Sequence, residues 1–185
     1  MRTLILGASG RLGSKLFWEA GWRGHRVAGT RFRSANRVLF RLDLRDGPSV
    51  NDLIVTSRPD VVFMAAGISD AGVAEAHPQG CLSVNCDGAI HVAQAVRSTF
   101  GDEDFPKPRL VFFSGDPASE VLNRAEAMAE EALRLIAPEQ HLITRVGRDV
   151  KPAELAERAM DLVENGSVGT CQVAKLEAPL LSKAA

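Results

Sequence analysis

Three glycines spaced three residues apart, Gly7, Gly10 and Gly13, follow the apolar run Thr3-Leu4-Ile5-Leu6 and lead into a segment of helical period. Glycine at that spacing suits a phosphate. Gly7 permits a tight turn, Gly10 lets phosphates come close to the backbone, and Gly13 lets the following helix press on the strand. The unpaired N–H groups at the start of that helix would then face a pyrophosphate, with Ser9, Arg11 and Leu12 completing the loop. A glycine-rich turn without a ligand has the same letters, but the order strand, loop, helix favours the cradle. Against the cradle stands a gap: the chain contains no tyrosine, so no phenol is available for proton transfer.

In dinucleotide sites that select NAD, a carboxylate about 20 residues further on accepts hydrogen bonds from the ribose. Between Gly21 and Leu42 there is no Asp or Glu, whereas Arg31 and Arg33 stand just past the second apolar run. Guanidinium forks match a ribose 2′-phosphate, which favours NADP over NAD. The same arginines could instead be a solvated loop, since their surroundings are arginine-rich. Asp43, in Leu42-Asp43-Leu44, is placed to accept from an adenine amino group.

Positioning these groups requires a sheet. Short runs rich in Val, Ile, Leu and Phe alternate with segments of helical period, the pattern of an α/β, Rossmann-type doubly wound parallel sheet. Strands are predicted at about 2–6, 25–29, 37–41, 60–65, 109–114, 140–145 and 168–174, each buried on both faces. Helices are predicted over 11–20, 48–56, 75–99, 119–136 and 152–164, the last with Pro152 at its first position and Asn165-Gly166 at its end. On the 119–136 helix, Leu122, Ala125, Ala129, Ala132, Leu133 and Ile136 form one apolar stripe, with Glu126, Glu130 and Arg134 read as lying outside it. The expected organisation is one NAD(P)-binding domain over 1–176, without a separate substrate domain, and a C-terminal tail over 177–185.

The 185 residues are 45% hydrophobic and 24% charged, with a net charge of −1. A near-neutral chain has no global field to attract nucleic acid or an anionic membrane. The longest apolar stretch, 61–68, is far shorter than the roughly 20 residues of a membrane helix, and the N-terminus lacks an export signal. Three cysteines without a Cys-x-x-Cys pair or clustered histidines support neither a disulfide framework nor a metal site. A cytoplasmic protein is expected. Cys81 and Cys86 read as small packing residues, and His25, His77, His91 and His141 as structural or exposed.

With GASGRLG at residues 7–13, Leu42-Asp43-Leu44, Val62-Phe63-Met64-Ala65-Ala66-Gly67, Ser83-Val84-Asn85 and Leu110-Val111-Phe112-Phe113-Ser114-Gly115-Asp116, the chain resembles the short-chain dehydrogenase/reductase superfamily. The likeness is closer to its extended branch, which contains dTDP-4-dehydrorhamnose reductases and related sugar-nucleotide enzymes. It implies that Ala65, Ala66 and Gly67 line the cofactor together with Leu44 and Asn85, and that Ser114 helps hold a substrate carbonyl. It also implies a homodimer through helices near 75–99 and 119–136.

The family chemistry uses a tyrosine that protonates the nascent alkoxide and a lysine four residues later. Matched to that pattern, the tyrosine position falls on Leu122 and the lysine position on Glu126, and no Lys lies between Pro117 and Ala137. A carboxylate there would raise a neighbouring acid's pKa rather than lower it. Ser114 and Asp116 are the candidate replacements; Asp116 would need burial to serve as an acid, and it could equally cap the next helix ahead of Pro117. A substrate-binding insertion after the sixth strand is also absent, since Arg145 is followed within seven residues by Pro152; the site is expected to be open unless another subunit covers it. Three functions fit this sequence: an atypical NADP(H)-dependent oxidoreductase acting on a small-molecule carbonyl, a catalytically silent NADP-binding sensor or regulatory protein, and a non-redox cyclase, lyase or isomerase.

Overall fold

The computed structural model of the chain describes residues 1–99, 106–115, 119–147 and 150–173. Seven strands, β1 (Arg2–Leu6), β2 (Arg26–Arg31), β3 (Phe40–Arg41), β4 (Val61–Met64), β5 (Arg109–Ser114), β6 (His141–Val146) and β7 (Gly169–Val173), form one sheet in the order β3-β2-β1-β4-β5-β6-β7. Every pairing is parallel. The order reverses between β1 and β4, where the connections leave in opposite directions and open a crevice at the carboxyl ends of the strands.

Parallel strands need crossover helices, and these cover both faces. On one face α1 (Arg11–Trp22) and α7 (Pro152–Glu164) bury Leu16, Ala20, Ala156, Ala159, Met160 and Val163 against Ile5, Phe63 and Val111. On the other, α2 (Gly47–Ser57), α5 (Gly88–Ser98) and α6 (Glu120–Ile136) bury Val50, Ile54, Val92, Val96, Ala129 and Leu133 against Leu4, Leu6, Val62 and Leu110. Each fully buried leucine or phenylalanine contributes about 1.5–3 kcal/mol. Pro152 does open α7, and Gly166 just beyond its end takes a positive φ of 77°.

Three expectations need correction. The strand read at 37–41 shortens to Phe40–Arg41, because the Asn36 side chain accepts the Val38 N–H at 2.9 Å and turns the chain before the ladder begins. Burial on both faces holds at the centre of the sheet but fails at its margins: both residues of β3 are exposed, and β7 is buried only at Val173. The helix read over 75–99 is four pieces, α3 (Ala71–Ala76), α4 (Pro78–Leu82), a π-helical turn (Ser83–Asp87) and α5. Pro78 lacks an N–H and disfavours helical backbone at His77, which ends α3. The tail expected over 177–185 lies outside the described residues.

Candidate functional site

β1 ends in a turn whose geometry demands glycine. Gly7 has a φ of +86°, and a Cβ there would stand 2.7 Å from the Ala66 backbone. Its N–H is held by the Thr30 Oγ1 at 3.0 Å, while its carbonyl accepts the Gly10 N–H at 2.9 Å. A Cβ on Gly13 would fall 2.1 Å from the Gly7 oxygen, so the first turn of α1 lies directly on the loop.

The helix that follows has no cap. Asp46, Asp70 and Ser119 each cap a helix with a side-chain oxygen, but Gly10, the residue before α1, has none to offer. The first N–H groups of α1 therefore face outward with the positive end of the helix dipole. Ser9, Gly10 and Arg11 are exposed there, and Leu12 packs toward the core shared with α7 rather than into the loop. A pyrophosphate fits this arrangement.

Arg31 and Arg33 stand at the carboxyl end of β2, on the same side of the sheet. Neither forms an ion pair among the described residues, and the Arg31 Nε is buried without a hydrogen-bond partner. Arg33 and Arg45 lie over the Phe32 ring, their guanidinium carbons 5.3 and 5.7 Å from its centre. The Asp43 carboxylate is engaged by Arg45, at 2.9 Å from Nε and 2.6 Å from Nη2. This pairing holds its carboxyl below the usual carboxylate range. Asp43, expected to accept from an adenine amino group, is paired with Arg45 and keeps part of its carboxylate exposed. Leu44 turns into the core, and its carbonyl bonds the His91 Nδ1 at 2.8 Å.

Across the crevice, Ala65, Ala66 and Gly67 follow β4. Asn85, in the π-helical turn, accepts the Ile68 N–H with Oδ1 and donates from Nδ2 to the Ile68 carbonyl, both at 2.8 Å. Its amide fixes this loop at the crevice wall. The widened helical turn makes that possible, since it aims the amide at a chain segment 17 residues earlier.

Ser114 ends β5 and is 5% exposed. Asp116 lies outside the described residues. The tyrosine-matched Leu122 is 2% exposed and packed with Ala74, Cys81 and Ala125. Cys81 and Cys86 are buried, and burial pushes both thiols up. Among the described residues, no group of His, Cys, Asp and Glu could hold a metal ion, and no helix is long and apolar enough to cross a membrane.

The two carboxyls that the sequence reading set outside the apolar stripe of α6 are engaged by other elements. Glu126 and Glu130 do not lie on the solvent face of α6. Glu126 Oε2 accepts the Gly115 N–H at 2.8 Å and the Ser114 hydroxyl at 3.2 Å. Glu130, 5% exposed, receives Arg134 and Arg145 at 2.7 Å each. Burial drives the Glu126 carboxyl above its ordinary range, and the charge of Glu130 adds to this. Burial is outweighed at Glu130 by Arg145, the Ser114 hydroxyl and Arg134, which hold it at about 2. The signal was in the spacing: Glu126 comes four residues after Leu122 and three before Ala129, which puts it on their face of the helix.

With this geometry in view, residues 3–138 match the NAD dependent epimerase/dehydratase family. The chain belongs to that family. It is 35% identical over 99 residues to a dTDP-4-dehydrorhamnose reductase of Streptomyces griseus, covering 52% of this chain and 30% of the relative. It is 29% identical over 93 residues to the bovine (Bos taurus) methionine adenosyltransferase 2 subunit beta, covering 50% and 28%. The chain thus matches less than a third of the length of either relative. Among solved structures, a hypothetical dTDP-4-dehydrorhamnose reductase from Sulfolobus tokodaii superposes with a TM-score of 0.79 at 22% identity, over 94% of this chain and 76% of that one. The dTDP-4-dehydrorhamnose reductase of Bacillus anthracis str. Ames, solved with NADP, gives 0.77 at 17% identity, over 95% and 75%. The Bordetella bronchiseptica enzyme WbmH, solved with NAD+, gives 0.72 at 18%, over 93% and 74%. At these identities the structures establish a shared Rossmann fold. Family members are NAD(P)-dependent, and the two neighbours carry different nucleotides.

Proposed function

We propose that the chain binds NADP(H) at the β1/β4 crevice and acts as an atypical oxidoreductase on a small-molecule carbonyl. The observation that carries this is the uncapped glycine cradle facing a cluster of arginines at the end of β2. Gly7, Gly10 and Gly13 with the first turn of α1 would hold the pyrophosphate, Arg31 and Arg33 a 2′-phosphate, and Ala65 to Gly67 the far side of the cofactor. When bound, the nicotinamide would supply the hydride. The protein's part is to orient the carbonyl beside Ser114, at the carboxyl end of β5 where open parallel sheets place their ligands.

Calorimetric titration of the full chain with NADPH and NADH tests the nucleotide. NADPH is expected to bind at least tenfold more tightly, a difference of about 1.4 kcal/mol, and the double change Arg31→Ala with Arg33→Ala should erase that preference while leaving NADH affinity unchanged. Equal binding of both nucleotides by the unaltered chain would remove the arginines' role, and binding of neither at millimolar concentration would remove the reading itself.

A second reading has its own support, a silent NADP-binding regulatory chain. The tyrosine-matched position is filled by a core leucine, and one relative is by name a subunit of a larger enzyme. Tight NADPH binding with no turnover of any carbonyl would favour it. For either reading we place a homodimer at α5 and α6, where Met128 and Leu135 leave large apolar side chains in solvent; sedimentation equilibrium is expected to give twice the chain mass, and Leu135→Glu to give the monomer.

A further inference from the structure

The end of β5 holds two carboxyls one helical turn apart in opposite electrostatic settings. Glu130 is surrounded by guanidinium: Arg134 from its own helix and Arg145 from β6 both reach it. Glu126 has none. Among the described residues its hydrogen bonds come from the Gly115 N–H and the Ser114 hydroxyl, and both converge on Oε2, leaving Oε1 without a partner. Cys81 of α4 lies near it as a buried thiol, and the Glu126 charge adds to the burial that pushes that thiol up. Two carboxyls whose surroundings push their proton affinities apart are the usual division between a proton-carrying acid and a fixed charge. Burial and the neighbouring Glu130 charge push the Glu126 carboxyl above its ordinary range, against the Gly115 N–H and the Ser114 hydroxyl, which lower it.

The tyrosine-matched Leu122 faces the core one turn earlier on the same helix, so it cannot deliver anything to the crevice. Glu126 sits beside Ser114, the residue at which a substrate carbonyl would be held. We propose that Glu126 is the proton donor of this site, replacing the missing phenol. The idea rests on the NADP(H) oxidoreductase reading. A bound reduced nicotinamide would supply hydride to the carbonyl carbon, and as the C=O π bond broke the Glu126 carboxyl O–H would give its proton to the carbonyl oxygen. The products are the alcohol and oxidised nicotinamide. Glu126 is left as a carboxylate, stabilised by the Gly115 N–H and the Ser114 hydroxyl until solvent returns a proton. Ser114, whose single hydroxyl proton goes to Glu126 Oε2, acts through Glu126 as a positioning residue.

The test uses the full chain and its Glu126→Gln and Glu126→Asp variants. Glutamine retains an oxygen for Gly115, and circular dichroism melting checks that each variant folds. Infrared titration, read without substrate or cofactor, should show a protonated-carboxyl band that persists above the ordinary glutamate range and disappears in Glu126→Gln. With NADPH and the small carbonyl probes glyceraldehyde and diacetyl, kcat should fall as pH rises through the midpoint of that band. Glu126→Gln should lose about 10²–10⁴-fold in kcat with NADPH affinity kept within twofold, and Glu126→Asp should recover part of the rate. A band with an ordinary midpoint, a band unchanged in Glu126→Gln, or NADPH bound with no turnover of either probe would each overturn the proposal while leaving the nucleotide site standing. Failure of NADPH to bind would instead remove the underlying reading, and this proposal with it.

Discussion

Gly13→Ala is expected to destabilise the protein by about 3 kcal/mol or more and to abolish nucleotide binding with it. The added Cβ would fall 2.1 Å from the Gly7 oxygen, 2.7 Å from the Gly7 carbonyl carbon and 2.9 Å from the Ala8 Cα. All three are backbone atoms of a turn fixed on both sides, by Thr30 and by Gly10. Nothing flexible can move aside, so α1 must lift from β1, and its contacts with α7 loosen. Urea denaturation would read the loss as a lower midpoint. Gly10→Ala is the matched control. Its Cβ meets only the Gly7 oxygen at 3.3 Å, and its backbone, with a φ of −82°, accepts any residue. That variant should fold within about 1 kcal/mol of the parent and still bind NADPH at least tenfold more weakly, because its Cβ points where phosphates would approach. Unchanged stability in Gly13→Ala would mean that helix and loop are not in contact.

The second large effect is at Glu130. Against burial, which raises it, its carboxyl is lowered from 4.5 to about 2 by Arg145, Ser114 and Arg134. A shift of that size corresponds to about 3 kcal/mol, which the partial exposure of both guanidiniums reduces to about 2 kcal/mol. The folded carboxyl binds its proton less tightly than the unfolded one. Its contribution is therefore fully present above about pH 4.5 and is lost as pH falls toward 2. Glu130→Gln should cost about 2 kcal/mol at pH 7, and the difference between variant and parent should close as pH falls through this window. Glu126 has the opposite sign. Its raised pKa contributes stability below the ordinary glutamate range, lost as pH rises through the folded value, so Glu126→Gln should gain on the parent toward neutral pH. Denaturant melts of both variants from pH 2 to 8 separate the two; parallel curves for the pair would refute the asymmetry.

Much of this arrangement can be read from residue order. The glycine spacing, the alternation of apolar runs with helical segments and the arginines after β2 locate the sheet, the cradle and the side on which a nucleotide would lie. Local signals that compete with periodicity are harder to weigh. The Asn36 turn that shortens β3 and the break at Pro78 are visible as letters, yet the period of the surrounding apolar residues overrides them on paper. Asn85 and Asp43 have the residue types of ligand contacts, and their partners within the protein, Ile68 and Arg45, come from the fold or the local turn rather than from any motif.

The sequence by itself determined the fold family, the glycine turn after β1, the absence of tyrosine and the absence of a lysine between Pro117 and Ala137, because these depend on residue type and short-range spacing. Only the tertiary structure decided what surrounds Glu126 and Glu130. Whether Glu126 carries a proton and Glu130 a charge depends on Gly115, Ser114 and Arg145 arriving from other strands. A carboxyl's proton affinity is set by what surrounds it in space, and that surrounding is assembled by folding.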